Sequence, residues 1–203
     1  MKKVWSWLAE PRPRYRSRPM NSIPDWACQA RAKWKNTGLH RPTFALAPGP
    51  GQESVWDYPR PPRLDADDRE VTVHSESNLI GRTCTARRVL ETAGPPTFYL
   101  PRDDVDMNFL EARAGRSRCE WKGEASYWNV VASGLRVNAA AWSYEDPFPE
   151  FEAIRGYVSF YPALLSCRVD GIPVRAQPGG LYGGWITPEV VGPFKGEPGS
   201  QDW

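Results

Sequence analysis

Proline and glycine set the first limit on this chain, with 21 prolines and 17 glycines spread over 203 residues. Proline lacks an N–H and fixes φ, and glycine carries extra backbone entropy, so regular elements must be short. The length exceeds a typical domain of about 100–150 residues but is small for two separate cores. One core with appendages follows. We place it at residues 66–165, between an N-terminal arm at 1–65 and a closing strand and tail at 166–203.

The arms differ from the core in charge. Residues 1–63 hold 12 basic and 4 acidic side chains, residues 64–165 hold 11 and 16, and residues 166–203 hold 3 and 4, for a net charge of +2 overall. A basic arm on an acidic body can bind nucleic acid through its phosphates or fold back on its own domain. Its basic residues are dispersed among Pro and Trp rather than packed in a block, which points to folding back. Residues 10–19 alternate Pro and Arg and are expected to be extended. A short helix is predicted at about residues 22–37, with Ser22 as cap, Pro24 in the first turn, and Trp26, Ala30 and Trp34 as the packing stripe. Lys2 and Lys3 before Val4–Ala9 imitate a leader peptide, but the apolar run is too short, and no stretch nears the roughly 20 apolar residues that span a bilayer. A water-soluble protein with no membrane association is expected.

From Glu70 the pattern turns to alternation. Val71 and Val73, then Leu79, read as a hairpin; Arg88–Glu91 and Thr97–Leu100 read as further strands, and Asp103–Ala112 as one or two helical turns. Residues 125–132 and 135–143 form the strongest strand pair, with Tyr127 and Asn129 on one face and Trp128 and Val130 on the other. Residues 149–155 read as a helical link, and 157–161 and 167–174 as the last strands. Seven or eight short strands in about 100 residues predict a mainly β fold, a small bent antiparallel sheet or a barrel-like domain. The tail from Gly179 to Trp203 carries Tyr182, Trp185, Phe194 and Trp203, rings that water disfavours, so it is expected to lie on the body. Its Phe194-Lys195-Gly196-Glu197 echoes Trp121-Lys122-Gly123-Glu124, too short a match to establish a repeat.

Chemistry concentrates in the central block. Cys119 and Lys122 stand three apart before a strand, and a cation beside a thiol makes thiolate available as a nucleophile; Cys119 can equally be a packed hydrophobe, and Lys122 can pair with Glu91 or Glu124. Glu91 can act as a general base or form an ion pair with Arg88. Tyr99, Tyr127, Trp128, Trp142, Tyr144, Tyr157 and Tyr161 exceed what one small core needs. Half or more of these rings are core, and the others, with Lys122, Glu91 and Asn138, frame a pocket for a small planar or cationic ligand. The acids Asp103, Asp104 and Asp106 fit helix capping better than a metal site. Cys28, Cys84, Cys119 and Cys167 lack metal or disulfide spacing, so neither metal nor cofactor is expected and reduced thiols suit the cytoplasm. The only histidines are His40 and His74; a His-based triad, a phosphate-cradling loop and a dinucleotide fingerprint are all missing.

Several motifs also carry a resemblance. Arg88-Val89-Leu90-Glu91-Thr92, Phe98-Tyr99-x-Pro101, Cys119-x-x-Lys122-Gly123-x-Ala125-x-Tyr127-Trp128, Asn138-x-Ala140-Ala141-Trp142-x-Tyr144 and Gly156-Tyr157-Val158-x-Phe160-Tyr161 resemble, in order, the family called domain of unknown function 427. The tail resembles that of cyanobacterial members. Where the family usually has Cys-Pro-Phe-Lys-Gly, this chain has Cys119-Glu120-Trp121-Lys122-Gly123. The resemblance implies a bent, tent-like antiparallel β fold and a nucleotidyltransferase-like label without a settled activity. Two expectations follow. The first is a small-molecule-binding domain, an enzyme if Lys122, Glu91 and Cys119 act on the ligand, with Arg88, Tyr99, Tyr127, Trp128, Asn138, Trp142, Tyr144 and Tyr161 around it. The second is a non-catalytic module whose basic arm engages a protein or nucleic acid; the oligomeric state is open.

Overall fold

The computed structural model describes residues 23–203. The Pro/Arg segment and Ser22 lie outside the described residues. Among the described residues the fold is mainly β, with one α-helix, α1 (Asp25–Arg31), which is about half the length expected. Pro24 precedes it without a side-chain cap, and only Ala27 is buried, so packing rather than propensity holds this short piece.

The strands in chain order are β1 (Glu53–Ser54), β2 (Arg63–Asp67), β3 (Val71–Ser75), β4 (Asn78–Thr83), β5 (Ala86–Leu90), β6 (Thr97–Tyr99), β7 (Leu110–Cys119), β8 (Gly123–Ala132), β9 (Leu135–Ser143) and β10 (Val158–Phe160). Five short ones follow: β11 (Ser166–Val169), β12 (Ile172–Pro173), β13 (Arg175–Ala176), β14 (Trp185–Ile186) and β15 (Val190–Val191). A three-stranded sheet β2-β5-β6 and a four-stranded sheet β10-β9-β8-β7 meet where Leu100 and Val158 exchange backbone hydrogen bonds of 2.8 and 2.9 Å. Both sheets and the bridge between them are antiparallel, so they run on as one bent surface. A second sheet, β12-β11-β3-β4, faces it, and none of the sheets closes into a barrel.

Alternation sorts the side chains of the bent surface onto two cores. On β6, Phe98 enters the core shared with β3, β4 and β11, whereas Tyr99 enters a second core on the other face. On β9, Ala141 joins the first and Trp142 the second. The first core closes on Trp185, which stacks on Phe98 at 5.0 Å and donates its indole N–H to the Phe160 carbonyl at 3.0 Å. A third cluster, of Val55, Trp56, Leu90, Ile186 and Phe194 among others, is built mostly from the arms. The parallel pairing of β1 with β15 joins those arms directly. The described part of the N-terminal arm and the tail therefore lie on the body, as the tail's aromatic content predicts.

Between Asp103 and Cys119 only two 3-10 turns form, Arg102–Asp104 and Met107–Phe109, and β7 occupies the rest. Asp106 caps the second turn by accepting the Asn108 backbone N–H at 3.0 Å, and Asp104 accepts the Thr83 hydroxyl at 2.6 Å. Ala139 takes a positive φ of 49° where the β8–β9 register shifts, and Asn129 Oδ1 accepts its N–H at 3.0 Å. A buried side chain thereby answers the donor that the bulge leaves out of the ladder.

Candidate functional site

The β7–β8 hairpin carries the Cys-x-x-Lys segment. Cys119 pairs with Gly123 across a turn of three residues, Glu120–Lys122, and Gly123 supplies the positive φ of 98° that such a turn needs. Neither proline nor phenylalanine is required here, because α1 fixes the turn from outside. Arg31 donates to the Glu120 carbonyl at 2.7 Å and the Trp121 carbonyl at 3.3 Å, and its guanidinium lies 4.9 Å over the Trp121 ring.

The turn points Lys122 into the second core, where the residue is 9% exposed. Burial acts to lower its pKa, but Cys119, Tyr99 and Glu91 outweigh that and hold the ammonium above the ordinary lysine value. The ring of Phe151 lies 5.6 Å from Nζ. Neither carboxylate expected as its counter-ion takes that role: Glu91 pairs with Arg60 at 3.2 Å, and Glu124 approaches Arg116 at 4.0 Å. Among the described residues no ion pair reaches the Lys122 ammonium.

Around it the rings interlock. The Trp142 indole N–H donates to the Tyr99 hydroxyl at 3.2 Å, and the two rings meet edge to face at 6.2 Å. Tyr161 leans on Trp142 at 4.4 Å. Burial pushes the Tyr99 phenol up to about 12 and the Tyr144 and Tyr161 phenols above their ordinary range, so all three are neutral hydroxyls at physiological pH. Tyr99, Trp142 and Tyr144 are buried, whereas Cys119, Tyr127, Tyr161 and Glu91 reach the surface in part. The result is a cluster of packed rings around a buried lysine, half-exposed along the edge of Cys119, Glu91, Tyr127 and Tyr161. The structure thus brings together Lys122, Cys119, Glu91, Tyr99, Tyr127, Trp142, Tyr144 and Tyr161.

It does not bring in three others. Trp128 pairs with Ala141 on the opposite face, where it packs on the first core and donates to the Ser143 hydroxyl at 2.9 Å. Asn138 is exposed next to the β9 bulge. Arg88 turns away from Glu91 and binds Glu53 at 2.6 Å and Asp67 at 3.1 Å. It lines a separate open groove of about 380 Å³, together with Glu53, Asp67, Arg69 and Glu189, whose charges are already paired with one another.

The arms supply what the central block cannot. Trp34 donates its indole N–H to Glu120 at 2.7 Å and takes the Arg60 guanidinium at 4.3 Å and the Lys195 ammonium at 3.9 Å over its ring. Tyr182 lies 5.7 Å from the Lys195 ammonium. The glycine-rich stretch before β14 presses on the ring cluster, since a Cβ on Gly183 would stand 2.2 Å from the Trp142 ring. Of these residues Trp34 and Tyr182 were expected to pack on the body and Lys195 had the echoed Phe-Lys-Gly-Glu, whereas Arg60 had no local signal. A family model described as a domain of unknown function (DUF427) matches residues 63–175. The curated proteins contain no match to the chain.

Proposed function

The chain belongs to the DUF427 family, and on that premise we propose that it is a small-molecule-binding domain whose ligand sits against Lys122 and Glu91 among the rings of the second core. One observation carries the proposal: a lysine 9% exposed, with a thiol and phenols for neighbours and, among the described residues, no carboxylate in ion-pair contact with it. Removing an ammonium from water costs several kcal/mol unless another group answers the charge. A ligand oxygen does so, and the half-exposed edge beside Glu91, Tyr127 and Tyr161 is its way in.

The same arrangement suits catalysis on a ligand with an electrophilic carbon. Lys122 would stabilise the developing oxyanion, Glu91 would move a proton and Cys119 would attack as thiolate. Four cysteines without disulfide partners suit the reducing cytoplasm that we propose as its setting. The test is mass spectrometry of molecules released from the purified chain, followed by titration of any that is found. We expect Lys122→Met and Glu91→Gln to leave the circular dichroism spectrum unchanged and to weaken binding about tenfold or more, the scale of a lost charge-assisted hydrogen bond. Undiminished binding in both variants rejects the site.

A further inference from the structure

The four-residue echo in the sequence is realised in three dimensions. Trp121-Lys122-Gly123 and Phe194-Lys195-Gly196 each place a buried ring, a buried lysine and a left-handed glycine in succession, with φ of 98° at Gly123 and 106° at Gly196. Lys195 is 8% exposed, close to the 9% of Lys122. A chance likeness of four letters does not require matched backbone and burial. Here the same order of ring, lysine and left-handed glycine stands twice, once on the core hairpin and once on the tail.

Both turns bring a cation towards Glu91. Glu91 acts on Lys122 from one side; on the other it binds Arg60, which shares the Trp34 ring with Lys195. Arg60 is itself 6% exposed, and its donors are taken by Glu91, the Asn36 carbonyl and the Thr92 carbonyl. Lys195 gives one hydrogen bond, to a main-chain oxygen of Trp203 at 2.7 Å, so among the described residues two of its three N–H groups are left for another acceptor. Three buried cations, Arg60, Lys122 and Lys195, thus stand near Glu91, with Glu120 and Asp202 also close to Lys195. Among the described residues Arg60 alone of the three has a side-chain carboxylate in ion-pair contact, and a buried ammonium without one is costly.

We propose that the ligand of this site is a small acid, a ring-bearing molecule whose carboxylate or phosphate is held by Lys195 beside Trp34 and Tyr182 while its other end reaches Lys122. The proposal rests on the Lys122 site described above and adds the class of molecule that fills it. In this arrangement the arms complete the site. Tyr182, 40% exposed between glycine pairs at 179–180 and 183–184, is placed to cover the acid once bound.

Titration calorimetry of the chain with 4-hydroxybenzoate, phenyl phosphate and the neutral 4-hydroxybenzyl alcohol tests this. At least one acid should bind about tenfold more tightly than the alcohol, the scale of a charge-assisted contact, and the preferred acid tells carboxylate from phosphate. Lys195→Met should remove the preference and keep the alcohol's affinity, while Lys195→Arg should restore it. On the unmodified chain, added salt should weaken the acid and leave the alcohol unchanged. Equal affinities, or a preference that survives Lys195→Met, overturn the acid. If alcohol and acids bind alike and all are lost in Lys122→Met, the site stands without its acid specificity. If Lys122→Met changes nothing, the Lys122 site falls, and binding of none of the three overturns both.

Discussion

Asp67 ties three parts of the chain together from the end of β2. It receives Arg69 at 2.6 Å and Arg88 at 3.1 Å, and Arg69 passes on to Glu189 in the tail. Burial raises its pKa, yet the hydrogen bonds and charge of Arg69, with Arg88, outweigh this and hold the carboxyl below its ordinary 3.8. A depressed folded-state pKa adds stability that is complete above the unfolded value and fades as pH falls through the folded one. Asp67→Asn should therefore cost about 3 kcal/mol at neutral pH, as for a broken buried pair. The gap between variant and parent should close in thermal melts taken progressively below pH 3.8. Single residues were legible where the cue was local. Cys119 and Lys122 share a turn because three residues separate them, and the period of two put Tyr127 and Trp128 on opposite faces. Their partners were not legible: Arg60 and Lys195 lie far from Lys122 in sequence, and only the fold decides that Glu91 takes Arg60 rather than Arg88.

Among the elements, the β8–β9 hairpin was readable because the two segments are rich in Tyr, Trp and Val and flank a Ser-Gly turn. β7 was not. Glu111 to Arg118 are all exposed, so no buried face leaves an apolar rhythm, and the strand ends the sheet with arginines along it, the composition that protects an edge. The stretch from Pro178 to Gly184 depends on what it lacks. Gly183 lies flat on Trp142, and a methyl group there would overlap the ring at 2.2 Å. Gly183→Ala should lift this stretch, cost about 1–3 kcal/mol as an overpacking change, and speed amide hydrogen exchange at residues 178–186 with little effect on β3 and β4. Unaltered exchange there would show that the contact is not needed to hold the segment down.

For the molecule as a whole, the family match at residues 63–175 is narrower than the packed interior. Trp185, fully buried, belongs to the first core, and Val55, Trp56, Ile186 and Phe194 make the third cluster from outside the matched region. Composition made this readable in outline, since the tail has too many rings to remain in water. The parallel join of β1 to β15 had no signal in two-residue segments. Trp185→Ala should remove the stack on Phe98 and the bond to Phe160, costing about 3–5 kcal/mol, visible as a lowered midpoint in denaturant with unchanged slope. A variant as stable as the parent would mean that the tail adds only cover. The position of Trp185 also bears on biosynthesis. A polypeptide emerging from the ribosome would already display β3 to β11 in the growing chain, yet its interior would stay open on one side until residues 185–191 had cleared the exit tunnel. Until then Phe98 lacks the ring that stacks on it, and the first core stays bare where Trp185 will seat.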